Sequence, residues 1–372
     1  MSANAGAPDV AIIGGGIVGC ALAALLAEGG ASVRLYERDE IAAGASGRNS
    51  GLLQHPMDEV LVDVFRASHE LYAGLGHGFE LPGEPVGVLV VGEDAGALEP
   101  VRAEVAARFP DLRPEALAPG DLRAAEPCLA EGLAGYRLDT GRPVPPAAAT
   151  RAWAARARAA GAELFEGAAA TPLVTGGRAA GVLISGAHAP AGAVVAAAGP
   201  WTPAIVDPTG RWRPIAAAWG VVAELRLPSP PRHAIEEGGV EELLSPDGVP
   251  GLLFSLVTRE GTSVVGSTFL PEQPDPVEVA PSLVERGTRF VPALAGSQVV
   301  SARACARPGS ADGRPLLGPL PDVEGLFVAA GHGPWGVSLG PGSARLVADA
   351  VLGRPAAIAP ELAAARFGPA AG

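Results

Sequence analysis

Apolar positions cluster in short, regularly spaced groups separated by glycine- and proline-rich breaks. Residues 10–13 form an unbroken apolar run, preceded by Asp9 and followed by glycines, that reads as a buried strand. The denser small-residue stretch after it, Ile17 to Glu28, reads as a buried helix, and 32–36 alternates as a second strand would. A loop over 41–54 follows. Val60, Leu61, Val64, Leu71 and Leu75 then recur at helical spacing, predicting an amphipathic helix over 57–75. Further helices are expected over 95–108 and 119–126, and over 145–161, where prolines suit the first turn and a glycine the end. Strands are expected at 163–165, 180–184 and 193–197. The texture changes near Trp212, where 218–227, 251–257 and 263–269 read as antiparallel strands separated by Pro/Gly turns. That predicts a second, sheet-based domain. A helix over 281–291, strands at 298–306 and 326–330, a glycine-rich turn and a helix over 343–352 return to the alternating texture of the start.

Composition narrows the class. With 372 residues the chain has room for two domains or one large bipartite one. Its three cysteines, Cys20, Cys128 and Cys305, lie far apart without a CxxC pair, which excludes a disulfide framework and a zinc cluster and suits a reducing compartment. The stretch 10–27 approaches the length of a membrane span but contains four glycines in a turn-forming arrangement, so no transmembrane segment is expected. The leader over 1–9 has no basic region of the signal-peptide kind, and a cytoplasmic location is expected. A formal charge of −13 disfavours nucleic acid as a partner. All 27 basic residues are arginine, so no lysine is present to form a Schiff base, move a proton or activate oxygen. No metal site is expected.

Chemistry concentrates at three places. Gly14, Gly16 and Gly19 supply GxGxxG after a strand and at the opening of a helix, which permits a tight turn, close approach of a pyrophosphate and close helix packing. Glu37 ends the second strand, where a carboxylate accepts hydrogen bonds from ribose hydroxyls and disfavours a 2′-phosphate. This motif alone leaves FAD and NAD tied. In the loop after it, Ser46, Arg48, Asn49 and Ser50 can lie along a second phosphate or a flavin ring, the alternative being a solvated loop. Between a late strand and helix, Gly331, His332, Gly333, Trp335, Gly336, Val337 and Ser338 can present backbone N–H groups to an electron-rich ring edge. A plain glycine-rich turn competes with that reading.

At these residues the sequence resembles the D-amino-acid oxidase (DAO) family of flavoproteins, which includes glycine oxidase, sarcosine oxidase and D-amino-acid dehydrogenase. Besides the fingerprint, Ala197-Ala198-Gly199-Pro200-Trp201 is similar to the family's AAGxW, and Arg307-Pro308 with Asp312-Gly313-Arg314-Pro315 and Gly318 to its RPxxxDGxPxxG. The resemblance implies an α/β fold in which a Rossmann-like FAD-binding domain (1–85, 145–214 and 301–372) is interleaved with a mostly antiparallel substrate domain (86–144 and 215–300). It implies an FAD-dependent oxidoreductase that oxidises the C–N bond of an amino acid or amine, with dioxygen or another acceptor taking the electrons. Arg38, Ala170, Ala198 and Gly199 join the expected cofactor-binding positions.

Within the resemblance, Arg307 matches the arginine that pairs with a substrate carboxylate, and a structural ion pair is the alternative. Arg48 is a second cationic candidate. His332 is a candidate to stabilise a reduced flavin, Trp335 to cover the ring, and His55 to reach the pocket; simple packing competes for each. Trp219 is a candidate wall of the substrate site. Cys305 precedes Asp312 by the seven residues at which some relatives attach FAD covalently, whereas Arg307-Pro308 follows the non-covalent pattern. The missing lysine leaves oxidase and dehydrogenase both open. A 2-hydroxy-acid dehydrogenase is the alternative suggested by the Arg48-Asn49-Ser50-Gly51 loop. A flavin-binding subunit of an electron-transfer complex is another, and an RNA-modifying role is weakened by the charge.

Overall fold

The computed structural model describes residues 7–238 and 251–370. Most of the unsigned leader, 1–6, and part of the expected antiparallel region, 239–250, therefore lie outside the described residues.

The N-terminal reading survives intact. Val10–Ile13, helix Ile17–Glu28 and Val33–Tyr36 form a β-α-β unit, the two strands pairing in parallel with Val10 opposite Val33. The helix is buried on nearly every side, which explains its run of Ala, Leu and Cys: a helix with no wet face carries no polar stripe. Ala193–Ala196 pairs in parallel on the other side of Val10–Ile13, with Val10 opposite Ala193. Among the described residues this sheet has six strands and runs, edge to edge, Leu316–Pro319, Leu326–Ala330, Ala193–Ala196, Val10–Ile13, Val33–Tyr36 and Glu163–Phe165. Only the edge strand Leu316–Pro319 is antiparallel to its neighbour.

Among the described residues, the second sheet has eight strands in the order Val299–Ser310, Ile215–Leu225, Thr262–Thr268, Leu252–Arg259, Ala234–Glu237, Val88–Gly92, Ala134–Leu138 and Glu115–Leu117. Its pairs are antiparallel except for Ala234–Glu237 with Val88–Gly92. The strands at 88–92 and 134–138 were not anticipated. The division expected at 300/301 falls inside Val299–Ser310, which pairs with Ile215–Leu225 along its whole length. A three-stranded meander, Ala170–Thr175, Arg178–Ile184 and Ala187–Pro190, completes the frame beside the first sheet.

Several boundaries moved for local reasons. The region 57–75 is a 3-10 turn, Glu59–Leu61, running into helix Val62–Ala73. The helix expected from 281 begins at Pro276, because the Asp275 carboxylate accepts a hydrogen bond from Val277 N at 2.8 Å and Pro276 occupies the first turn. The last long helix begins at Gly336 rather than 343, carrying Pro341 inside it.

Candidate dinucleotide site and adjoining pocket

The carboxyl ends of the parallel strands open onto one cavity of about 1020 Å³, reached by Ile13, Tyr36, Ala197 and Ala330. This is where open parallel sheets place their ligands, outside the strand ends and where the chain order reverses. The volume stands at the top of the range for small-molecule sites.

The glycine turn forms its floor. Gly14 has φ +114°, and a Cβ there would stand 2.5 Å from the Ala197 carbonyl oxygen. A Cβ on Gly19 would stand 1.9 Å from the Gly14 carbonyl oxygen, so Gly19 sets how closely helix and strand approach without itself reaching the cavity wall. Glu37 braces the turn: one carboxylate oxygen accepts from Gly15 N at 2.6 Å and the other from Asp39 N at 2.9 Å. Ser46, from the single helical turn Ala45–Arg48, accepts from Ile17 N at 2.9 Å. Gly16 and Ser46 both line the cavity at this point, and the first turn of Ile17–Glu28 offers its N–H groups there.

Beyond the turn the wall divides. At one end stand Tyr36, Glu37, Arg38, Asp39 and Glu40, with Ala170, Ser185 and Trp201 opposite. Arg38 lies 3.9 Å over the Trp201 ring and pairs with Asp39 at 3.0 Å. At the other end stand Trp219, Gln273, Cys305, Arg307, His332 and Pro334, with Arg48 and Asn49 between the two.

Arg307 is held at this second end without a carboxylate partner among the described residues. Its guanidinium donates to Thr268 O at 2.7 Å and to Ser267 Oγ, and lies 4.5 Å over the Phe269 ring. Burial draws it below its ordinary basicity, but a guanidinium stays charged at neutral pH. Arg303, Cys305 and Arg307 alternate along Val299–Ser310 and so share one face of the strand. Arg303 pairs with Glu224 and donates from Nε to Arg48 O at 2.9 Å and from Nη2 to Asn49 O at 3.1 Å. Cys305 is buried, and burial pushes its thiol up despite the nearby arginines. His332 is buried with its Nε2 unpartnered on the cavity wall, and burial lowers it to about 4. At neutral pH His332 is therefore a neutral imidazole.

Other expected site residues fall elsewhere. Trp335 is not on the cavity wall; its half-buried indole packs against the core around Ile17–Glu28. His55 lies in a separate pocket of about 260 Å³, between the rings of Phe65 and Phe109. Burial lowers it as well. Ser338 faces inward and accepts from Gln54 N at 3.1 Å. Ser50 and Gly331 are beside the cavity rather than on it, whereas Ala198, Gly199, Gly333, Gly336 and Val337 line it. Arg303 and Gln273 were not anticipated; the Arg-x-Cys-x-Arg alternation was the available signal for the first.

The parts present fit a dinucleotide joined to a planar ring system: a glycine cradle that a Cβ would fill, a helix N-terminus, an acidic end, and a buried, unpartnered imidazole nitrogen at the far end. Such a fold and site define a dinucleotide-dependent enzyme. Residues 9–350 match the DAO family, described as FAD dependent oxidoreductase, and the chain belongs to it. It is similar to glycine oxidase from Pseudomonas aeruginosa, 28% identical with 94% of this chain and 96% of that protein covered. Glycine oxidase from Bacillus licheniformis is 25% identical, covering 93% and 94%. The crystal structure of glycine oxidase from Geobacillus kaustophilus superposes with a TM-score of 0.81 at 26% identity, covering 96% of this chain and 98% of that one.

Proposed function

We propose that this FAD-dependent oxidoreductase oxidises the C–N bond of an amino acid, with Arg307 holding the substrate carboxylate. The observation that carries the reading is a charged guanidinium fixed on the cavity wall by Thr268 O and Ser267 Oγ, with no carboxylate partner among the described residues. A fork of N–H donors in that state matches a carboxylate bidentately. The glycine oxidases to which the chain is similar support the same substrate class.

FAD, when bound, supplies the two-electron acceptor. The residues around it orient and desolvate. Glu37 and the Gly14–Gly16 turn would hold the ribose and pyrophosphate, Ser46 stands beside them at the helix N-terminus, where it accepts from Ile17 N, and His332 offers Nε2 at the far end. The described lining residues at that end include no carboxylate to hold an ammonium group, and Arg307 and Arg48 add positive charge. Both effects favour the neutral amine, the form that can release electrons.

We assign the flavin a non-covalent mode, because a buried Cys305 whose thiol is pushed up is a poor nucleophile. Dioxygen is assigned as the acceptor, with the arginine charge free to assist once product has left. Three free thiols suit a cytoplasmic location. The test is anaerobic mixing of the yellow protein with amino acids: bleaching near ~450 nm by amino acids, and not by 2-hydroxy acids, is expected. Bleaching only by hydroxy acids would sink the proposal. Reoxidation by air at least as fast as turnover checks the acceptor.

A further inference from the structure

We infer that the substrate carries a second anionic group, and that Arg48 receives it while Arg307 holds the first: the class is an amino acid with two carboxylates. This rests on the reading above that an amine-bearing acid is oxidised in this cavity.

Three arginines are linked in space: Arg303 and Arg307 share one face of Val299–Ser310, Arg303 donates to Arg48 O, and Arg48 and Arg307 line the same cavity. Their partners differ. Arg303 is neutralised by Glu224, whose other oxygen accepts from Ser301 Oγ at 2.8 Å. Its remaining N–H groups fix the backbone of Arg48 and Asn49. Arg307 and Arg48 have no carboxylate partner among the described residues. Carboxylates are not scarce in this chain, where 40 acidic residues face 27 basic ones. The acidic side chains that do line the cavity, Glu37, Asp39 and Glu40, all stand at its opposite end. Two guanidiniums without a carboxylate partner among the described residues, both on the wall of a single cavity, form a region of net positive charge that a dianion neutralises and a monoanion only half neutralises.

Arg48 is not drawn off by the phosphate end. Ser46 turns its hydroxyl to Ile17 N, and two residues along a helix rotate the side-chain direction by roughly 200°. Arg48 therefore leaves the helical turn on the face away from the N-terminus of Ile17–Glu28. Arg303 pins the Arg48 carbonyl from the neighbouring sheet.

The experiment separates this inference from the one on which it rests. The oxidised holoenzyme is titrated with succinate and with its half-amide, unreactive ligands of equal size, following the perturbation of the visible flavin spectrum. Succinate is expected to bind at least tenfold more tightly. Arg48→Met should erase that difference with flavin content unchanged, Arg48→Lys should restore part of it, and Arg307→Met should weaken both ligands. Equal binding of diacid and half-amide within twofold would overturn the inference. Loss of flavin from Arg48→Met and Arg48→Lys alike would also overturn it, assigning Arg48 to the cofactor. Anaerobic bleaching by aspartate and glutamate against asparagine and glutamine gives the second readout. Preferential diacid binding with no bleaching by any amino acid would leave the two-anion site standing and remove amine oxidation. Equal bleaching by acids and amides would do the reverse.

Discussion

Gly220 makes the space in which Arg307 sits. It pairs across the sheet with Cys305, and a Cβ on it would lie 2.2–2.3 Å from three atoms of the guanidinium. The obstacle is the free end of a long side chain rather than backbone, so Gly220→Ala should fold with a melting temperature close to that of the parent while pushing Arg307 away from Thr268 O and Ser267 Oγ. Hydrogen bonds to a charged group are worth about 1.5–3 kcal/mol, and steady-state kinetics should show KM for the amino acid raised roughly tenfold or more with kcat much less affected. His332 supports a second prediction. Its buried imidazole titrates at about 4, against an ordinary 6.5, because burial penalises the charged form. Above 6.5 the residue is neutral folded and unfolded and contributes nothing; below it the unfolded chain takes up a proton that the folded chain refuses. Wild type should therefore lose about 2 kcal/mol relative to His332→Asn between pH 7.5 and pH 5. Melting curves of the pair at the two pH values check this, and a gap that does not move with pH would contradict it.

At the scale of elements, the contact between Val10–Ile13 and Ile17–Glu28 depends on backbone approaching backbone. Gly19→Ala would bring a Cβ to 1.9 Å from the Gly14 carbonyl oxygen, and no rotamer relieves such a clash. Overpacking of this kind costs about 1–3 kcal/mol, and it opens the cradle for the pyrophosphate. Purified Gly19→Ala should carry little flavin, read from the ratio of visible to ultraviolet absorbance, even where circular dichroism shows retained helix. This unit was legible because its signals are local: an apolar run, glycines at fixed offsets and a strand-ending Glu37 all lie within one β-α-β stretch. The arginine end was legible only in part. Arg307 stands out beside Pro308, but its anchors Ser267 and Thr268 come from another strand, and Glu224, which fixes Arg303, from a third. Strand pairing across the sheet brings these together, and no spacing along the chain announces it. The opposite error arose at Trp335 and His55. Each is an aromatic or imidazole side chain close in sequence to site residues, but Trp335 packs against the core around Ile17–Glu28 and His55 sits between the rings of Phe65 and Phe109. The helix starts expected at 281 and 343 both fall inside helices that begin upstream, at Pro276 and Gly336, with Pro281 and Pro341 in their interiors.

For the whole molecule, the cavity is where the two large sheets meet. Val299–Ser310 belongs to the eight-stranded sheet and lines the cavity with Cys305 and Arg307, while Ile13, Tyr36 and Ala330 reach it from the ends of the parallel one. A β-bridge between Gly309 and His332 and the Arg303 bonds to Arg48 and Asn49 O tie the two sides directly. A ligand that fills this cavity touches both sheets, so its binding energy should stabilise their unfolding as one event. If the flavin is held without a covalent bond, its contribution depends on concentration, because only the folded chain binds it: free FAD at a hundredfold its Kd adds about 2.7 kcal/mol. The melting temperature should then climb with added FAD in a single transition, and acid precipitation should leave the yellow colour in the supernatant. A covalent link through Cys305 gives the opposite pair of results, a yellow pellet and a melting temperature indifferent to added FAD, since the local concentration of an attached ligand does not change. Two transitions, one of which ignores FAD, would mean that the parallel sheet binds the cofactor while the antiparallel sheet unfolds independently, and the bonds from Arg303 and the Gly309–His332 bridge would then be too weak to couple them.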